Sequence, residues 1–218
     1  MNSVGLNQGT SGNISARYGE EILITPSGIP YDALTPEMIA AMPIDRTDGS
    51  YRGPMKPSSE WRIHLDILRA RPEAGAVVHT HSIYATALAI ARRDIPACHY
   101  MVAIFGGEDV RCSAYARFGT QELSDAALAA LDGRNACLLA NHGMIAVGPT
   151  LEKAMWLAAE LETLAKQYYL ALQIGGPVLL TSEQIEETRA AMAGYGHAAV
   201  AADANKAPAK SKGKKRRA

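Results

Sequence analysis

Six short apolar runs are spread along the chain, and stretches with helical patterning separate them. That alternation restricts the fold to a mixed α/β domain in which helices cover a sheet. The extended runs are Asn13–Arg17, Glu21–Thr25, Ala74–His79, Met101–Phe105, Asn135–Ala140 and Met144–Val147. Thr35-Pro36-Glu37 supplies an N-cap, a first-turn proline and an early carboxylate for a helix. Ser58 caps a helix over Glu60–Arg69, and further helices are expected over Ser82–Arg92 and, with Thr120 as cap, Thr120–Leu131. The longest covers Thr150–Gln173, with Leu151, Ala154, Ala158, Leu161 and Ala165 recurring at helical spacing. Thr181 and Gln184 form a capping box for a last helix. Strand order is not encoded in these patterns. No internal repeat and no linker precede about residue 197, so 1–197 reads as one domain and 198–218 as a tail.

A chain of 218 residues, 48% of them hydrophobic, can bury a sizeable core. Its amino end is polar and Gly/Asn-rich, which does not resemble a signal peptide, and no apolar run reaches membrane-spanning length. Cys98, Cys112 and Cys137 have no CxxC spacing and read as small apolar residues in a reducing compartment, the cytoplasm. The 22 basic and 22 acidic residues balance, but seven of the basic ones lie between Lys206 and Ala218, leaving 15 against 22, or −7, elsewhere. Composition predicts a solvated, disordered appendage there; loose contact with nucleic acid or membrane is the other use of such charge. The acidic body gives no support for a nucleic-acid enzyme.

"VVHTHS", Val77 to Ser82, places two histidines on an extended run. Side chains at i and i+2 share a face, so His79 and His81 project side by side, roughly 7 Å apart at the backbone. Two imidazoles so placed either converge on a metal or sit at a solvated strand end. "LLANHGMIAVG" adds His142 at a tight turn between two apolar strands. Taken together, the three favour a three-histidine site with an open position, which suits catalytic zinc.

"KPSSEWRIHLDIL" leads into an amphipathic helix with Glu60 in its first turn. Such a glutamate is ordinarily a dipole feature. Here backbone N–H groups and the Ser58 and Ser59 hydroxyls accompany it, which makes an anion pocket. Beside a metal, Glu60 can act as general base. His64, one turn later on the same face, reads as a packing or supporting residue. "GTSGNIS" and "TPSGIP" are glycine turns whose N–H groups can converge on phosphate, forming with Ser58 and Ser59 a cup without lysine.

"GLNQGTSGNIS", "ILITPSGIPY", "PSSEWR", "VVHTHS", "IPACHYM", "YARFGTQELS" and "LLANHGMIA" together resemble the class II aldolase/adducin superfamily, within it most of all the L-fuculose-1-phosphate aldolases. The resemblance runs in one order from Gly5 to about Tyr195. It implies a three-layer α/β/α sandwich around a mainly antiparallel sheet and a homotetramer with sites between subunits. It implies Zn2+, or another divalent ion such as Mn2+ or Co2+, on His79, His81 and His142, with Glu60 as acid/base and occasional ligand. It implies phosphate contacts from Thr10, Asn13, Ser27, Gly28, Ser58 and Ser59. Tyr100 matches a tyrosine that reaches a neighbouring subunit's site, and Tyr195 matches a second tyrosine on a C-terminal segment. The family carries a helix before the first motif, on which this chain almost begins.

The implied reaction is reversible cleavage of a (deoxy)ketose 1-phosphate, such as fuculose, 5-deoxyribulose or 5-methylthioribulose 1-phosphate, to dihydroxyacetone phosphate and an aldehyde. Sugar-phosphate epimerase, dehydratase and decarboxylase readings share the metal and the phosphate; the "HYM" and "YARFGT" segments favour the aldolase. A non-catalytic adducin-like module would lack a histidine or the glutamate, and all four are present.

Overall fold

In the computed structural model, which describes residues 1–192, six strands form one sheet. They are β1 (Asn13–Tyr18), β2 (Glu21–Ile24), β3 (Ala40–Pro43), β4 (Ala76–Thr80), β5 (Ala136–Leu139) and β6 (Gly143–Gly148). Their order is β3-β2-β1-β4-β6-β5, and every neighbouring pair is antiparallel. The helices are α1 (Trp61–Ala70), α2 (Ile83–Ile90), α3 (Gln121–Ala130), α4 (Leu151–Gln173) and α5 (Ser182–Met192).

Alternation along the strands divides the core in two. Ala76, Val78, Leu138, Met144 and Ala146 pack with residues of α2 and α4, while Val77, Cys137, Leu139, Ile145 and Val147 pack with residues of α1 and α3. Every residue of β4, β5 and β6 is buried. Burial on both faces explains why these strands read as continuous apolar runs. The result is the three-layer sandwich expected.

Two expectations are corrected. Met101–Phe105 is not a strand: Tyr100–Phe105 forms a 3-10 helix that ends at Gly106 in the left-handed region (φ 96). His99 Nδ1 accepts from the Met101 N–H, and Val102, Ala103 and Phe105 enter the core. A short buried apolar run has no periodicity that separates strand from helix. Thr35-Pro36-Glu37 starts only one 3-10 turn, Pro36–Met38, and Thr35 makes no side-chain cap. The residues that follow become edge strand β3, in which pairing with β2 overrides the helical preference of Ala and Met. Pro43 closes this strand, a position that edge strands tolerate.

Helix ends are held by specific partners. Thr120 and Thr150 accept from the N–H groups of Leu123 and Lys153, and Thr181 and Gln184 exchange bonds as a capping box. Ser82 makes no such bond; instead Glu162 of α4 accepts from the Tyr84 and Ala85 N–H groups at the start of α2. Arg17 of β1 donates to the carbonyls of Leu68, Arg71 and Ala74 where α1 ends. These bonds hold the C-terminal end of α1, opposite the end where Glu60 lies.

Candidate metal and substrate site

Register brings the site together at one end of the central strands. Asn13 on β1 pairs with His79 on β4, and Thr80 on β4 pairs with Met144 on β6. His142 lies in the turn between β5 and β6, where Asn141 adopts the left-handed conformation (φ 55) that asparagine tolerates. Asn141 is pinned to the end of α2, its N–H donating to Ala89 O and its Oδ1 accepting from Arg92 Nε. Glu60 occupies the N-cap position of α1, one residue before the first turn.

Side-chain donor atoms of Glu60, His79, His81 and His142 lie within 4.8 Å of one another. The three imidazoles stand edge-on, with centroids 4.8–4.9 Å apart and planes inclined 71–76°. His79 Nδ1 donates to Met144 O at 2.9 Å, which leaves the Nε2 lone pair facing inward. That lone pair meets His81 Nε2 at 3.1 Å and Glu60 Oε2 at 3.3 Å. Glu60 Oε1 lies 3.2 Å from His142 Nε2 and is buried without a hydrogen bond. Only a cation or a proton reconciles so many acceptors. The pKa shifts say the same. Burial disfavours charge on His79, but Glu60 outweighs it and raises the group. Burial, then His79 and His142, pushes His81 down to about 4. Burial raises Glu60, yet His79 and His142 outweigh it and hold the carboxyl below its usual range. Three nitrogens and a carboxylate are a donor set that fits a divalent metal ion.

The two serine loops meet beside this cluster. Ser58 N–H donates to Thr25 O, Ser59 N–H donates to Ser27 Oγ at 2.9 Å, and Pro26 bridges to Pro57. Ser58 Oγ is turned inward to accept from the Glu60 N–H. Gly28 is in the left-handed region (φ 73), and both Ser27 and Ser59 are exposed. Thr10 is exposed on the glycine loop. Asn13 is buried, with Nδ2 donating to Glu60 Oε2 at 2.9 Å and Oδ1 beside His64 Nε2. Tyr100 is 49% exposed and does not line the cleft over the cluster. Tyr195 and the basic tail lie outside the described residues.

Two features escaped the sequence. Asn7 fastens the glycine loop to the histidine strand: its Oδ1 accepts from His81 N–H and its Nδ2 donates to Ser11 O. Gly12 (φ 72) is required there, because a Cβ would sit 2.6 Å from His79 O. A buried loop asparagine carries no local pattern to betray it. The second is a wall. A cleft of about 460 Å³ over Glu60, His81 and His142 is bounded by Tyr115, Ala116, Arg117 and Phe118. Two exposed aromatics in one loop were the available signal.

Comparison with known proteins gives the site its setting. Residues 1–169 match the family model for the class II aldolase and adducin N-terminal domain. The chain belongs to this family. A 5-methylthioribulose-1-phosphate/5-deoxyribulose-1-phosphate aldolase of Rhodospirillum rubrum is 54% identical over 196 residues, covering 90% of this chain and 87% of that protein. The L-fuculose phosphate aldolase of Escherichia coli K12 is 49% identical over 184 residues, 84% of each chain. A solved L-fuculose 1-phosphate aldolase superposes with a TM-score of 0.83 at 39% identity, covering 87% of this chain and 89% of its own. The chain is therefore a lyase of a metal-dependent aldolase class. Among the described residues no helix is long and apolar enough to cross a membrane.

Proposed function

We propose that the protein is a zinc-dependent aldolase that reversibly cleaves a (deoxy)ketose 1-phosphate into dihydroxyacetone phosphate and an aldehyde. The observation that carries this reading is the placement of Glu60. Its carboxylate lies between the histidine cluster and the serine loops, 3.2 and 3.3 Å from His142 and His79. His79, His81 and His142 hold the zinc, which supplies Lewis acidity at the ketone oxygen and its neighbouring hydroxyl. Ser27, Gly28, Ser58, Ser59 and Thr10 receive the phosphate through hydroxyls and N–H groups. In cleavage, Glu60 delivers a proton to the carbon that loses its C–C bond; in synthesis it removes that proton. His79 and His142 hold its carboxyl below the usual range, and the ionised form this favours suits the second direction.

The far end of the substrate lies along Tyr115 and Phe118. An apolar wall favours an aldehyde with a methyl or methylthio end over a polyhydroxylated one. Fuculose, 5-deoxyribulose and 5-methylthioribulose 1-phosphates all give such an aldehyde, and the named activity of the Rhodospirillum relative is the support for preferring the last two. Tyr100 of a neighbouring subunit completes the site in a cytoplasmic homotetramer. The support is its exposure and its position away from the cleft of its own chain. The catalytic domain extends to about residue 197, ahead of the tail.

The test is release of dihydroxyacetone phosphate by metal-loaded protein from a panel of ketose 1-phosphates. The 5-deoxy and 5-methylthio compounds should give the highest kcat/KM. No release from any of them would refute the assignment.

A further inference from the structure

Behind Glu60 lies a chain of three buried polar side chains. Ser15 Oγ is 2.8 Å from His64 Nδ1, His64 Nε2 is 2.5 Å from Asn13 Oδ1, and Asn13 Nδ2 is 2.9 Å from Glu60 Oε2. Ser15 is 1% exposed, His64 0% and Asn13 5%. We infer that Ser15, His64 and Asn13 form a positioning relay that holds the Glu60 carboxylate in its working pose, with His64 as the residue that sets its polarity. This rests on the proton-transfer role proposed for Glu60.

The direction of every bond follows from the chemistry of the groups. Glu60 Oε2 only accepts, so the Asn13 amide must present Nδ2 to it. Asn13 then presents Oδ1 to His64, so His64 must carry its proton on Nε2. Nδ1 is left as an acceptor, and Ser15 must donate its hydroxyl. The imidazole is neutral in this arrangement, and burial agrees, pushing its pKa down to about 3. Reversing the asparagine amide would set its oxygen against the carboxylate and its NH2 against the His64 N–H. Both contacts repel, so the relay has one arrangement.

The relay also explains where its members sit. Asn13 and Ser15 lie two apart on β1 and share the face toward α1. His64 lies one turn beyond Glu60 on α1, so the relay joins strand and helix across the layer between them. The register of β1 with β4 sets Asn13 opposite His79. Asn13 thus spends Oδ1 and one Nδ2 hydrogen inside the protein, which leaves its second Nδ2 hydrogen for the phosphate. Glu60 Oε1, which lacks a hydrogen bond, faces His142 and the cleft. One oxygen is anchored and the other is available.

The test uses the full-length metal-loaded protein and three variants, His64→Leu, His64→Gln and Ser15→Ala. Four quantities are read: solvent exchange of the carbon-bound proton of dihydroxyacetone phosphate, KM for that compound, zinc affinity of the stripped protein, and melting temperature. A mispositioned base loses on the order of 10²-fold in rate. His64→Leu should lower the kcat of exchange by about that factor, with KM and zinc affinity within about threefold. His64→Gln retains an N–H for Asn13 and should recover at least about tenfold of the loss, whatever its melting temperature. Ser15→Ala, the smallest change, should slow exchange several-fold at unchanged KM and serves if His64→Leu does not fold. A crystal structure of the His64→Leu or Ser15→Ala protein should show the Glu60 carboxylate displaced from Asn13. The relay is overturned if exchange stays within twofold in His64→Leu and Ser15→Ala, or if His64→Gln is no better than His64→Leu. It is overturned too if the losses appear in KM or zinc affinity. Wild-type protein that exchanges no proton refutes the role of Glu60 itself; the crystal structures then still decide whether the relay sets its pose.

Discussion

Gly143 opens β6 directly behind the histidines, and replacing it with alanine should disable the site while leaving every candidate ligand in place. A Cβ there would sit 2.4 Å from Thr80 O, 2.9 Å from His81 Cδ2 and 3.3 Å from His79 Cε1. The first contact is with backbone and cannot be relieved by a rotamer. A carbon and a carbonyl oxygen ordinarily stay about 3.3 Å apart. β4 and β6 would therefore have to separate locally by about 0.9 Å, between Thr80 and the start of β6. Metal sites tolerate deviations of about 0.2 Å in ligand distance, so this displacement exceeds the tolerance several-fold. The expected cost is about 1–3 kcal/mol of stability, as for an overpacked core, which lowers the melting temperature by roughly 2–12 °C in a chain of this size. Zinc affinity should fall by about 10–100-fold, the scale found when the support of a metal ligand is disturbed. Competition of stripped protein against a chelating dye reads the affinity, and melts with and without chelator separate the two losses. Gly143→Ala protein that binds zinc like wild type and melts at the same temperature would refute the reasoning.

Glu60→Gln should keep phosphate affinity but lose proton exchange on dihydroxyacetone phosphate by at least about 10²-fold, checked by NMR in heavy water. Tyr100→Phe should slow C–C cleavage more than exchange. Mixed Glu60→Gln and Tyr100→Phe subunits should regain part of the activity, because some interfaces then combine two intact groups. His64 is held neutral with a pKa of about 3, against 6.5 for the free side chain, so the unfolded chain takes up a proton first. Its stabilising contribution is complete above pH 6.5 and is lost as pH falls toward 3; chelator-stripped wild type should show that loss in its melting temperature, and His64→Gln should show less of it.

The candidate metal donors were legible because their chemistry lies in residue type at fixed spacing. Two histidines at i and i+2 on a valine-rich run can only share a face, and His142 between two apolar strands has few places to go. Helices α3, α4 and α5 were legible for a similar reason, since Thr120, Thr150 and the Thr181–Gln184 pair are local signals that the structure uses as written. What stayed hidden depends on partners far along the chain. Strand β3 exists only because β2 offers it an edge. The Tyr100–Phe105 segment is shaped by core burial and by His99, not by alternation. Asn7 and Arg17 act through long-range bonds that no window of sequence contains. At the start of α2 the N–H groups of Tyr84 and Ala85 are met by Glu162, about 80 residues later.

The four donors around the cluster come from α1, β4 and the turn before β6, and Asn13 from β1 stands behind them. None of these pieces is adjacent in sequence to the next, so no fragment of the chain can assemble the site early. Pairing of β1 with β4 closes a span of more than sixty residues, as does pairing of β4 with β6. Loop closure of that length delays folding, and the nascent chain cannot coordinate metal as a trained unit until the β5–β6 hairpin has emerged and docked. Once captured, the ion ties three distant segments together, and any opening that separates them must first release it. Metal should therefore act chiefly as a brake on unfolding, lengthening the lifetime of the native protein more than it hastens its formation.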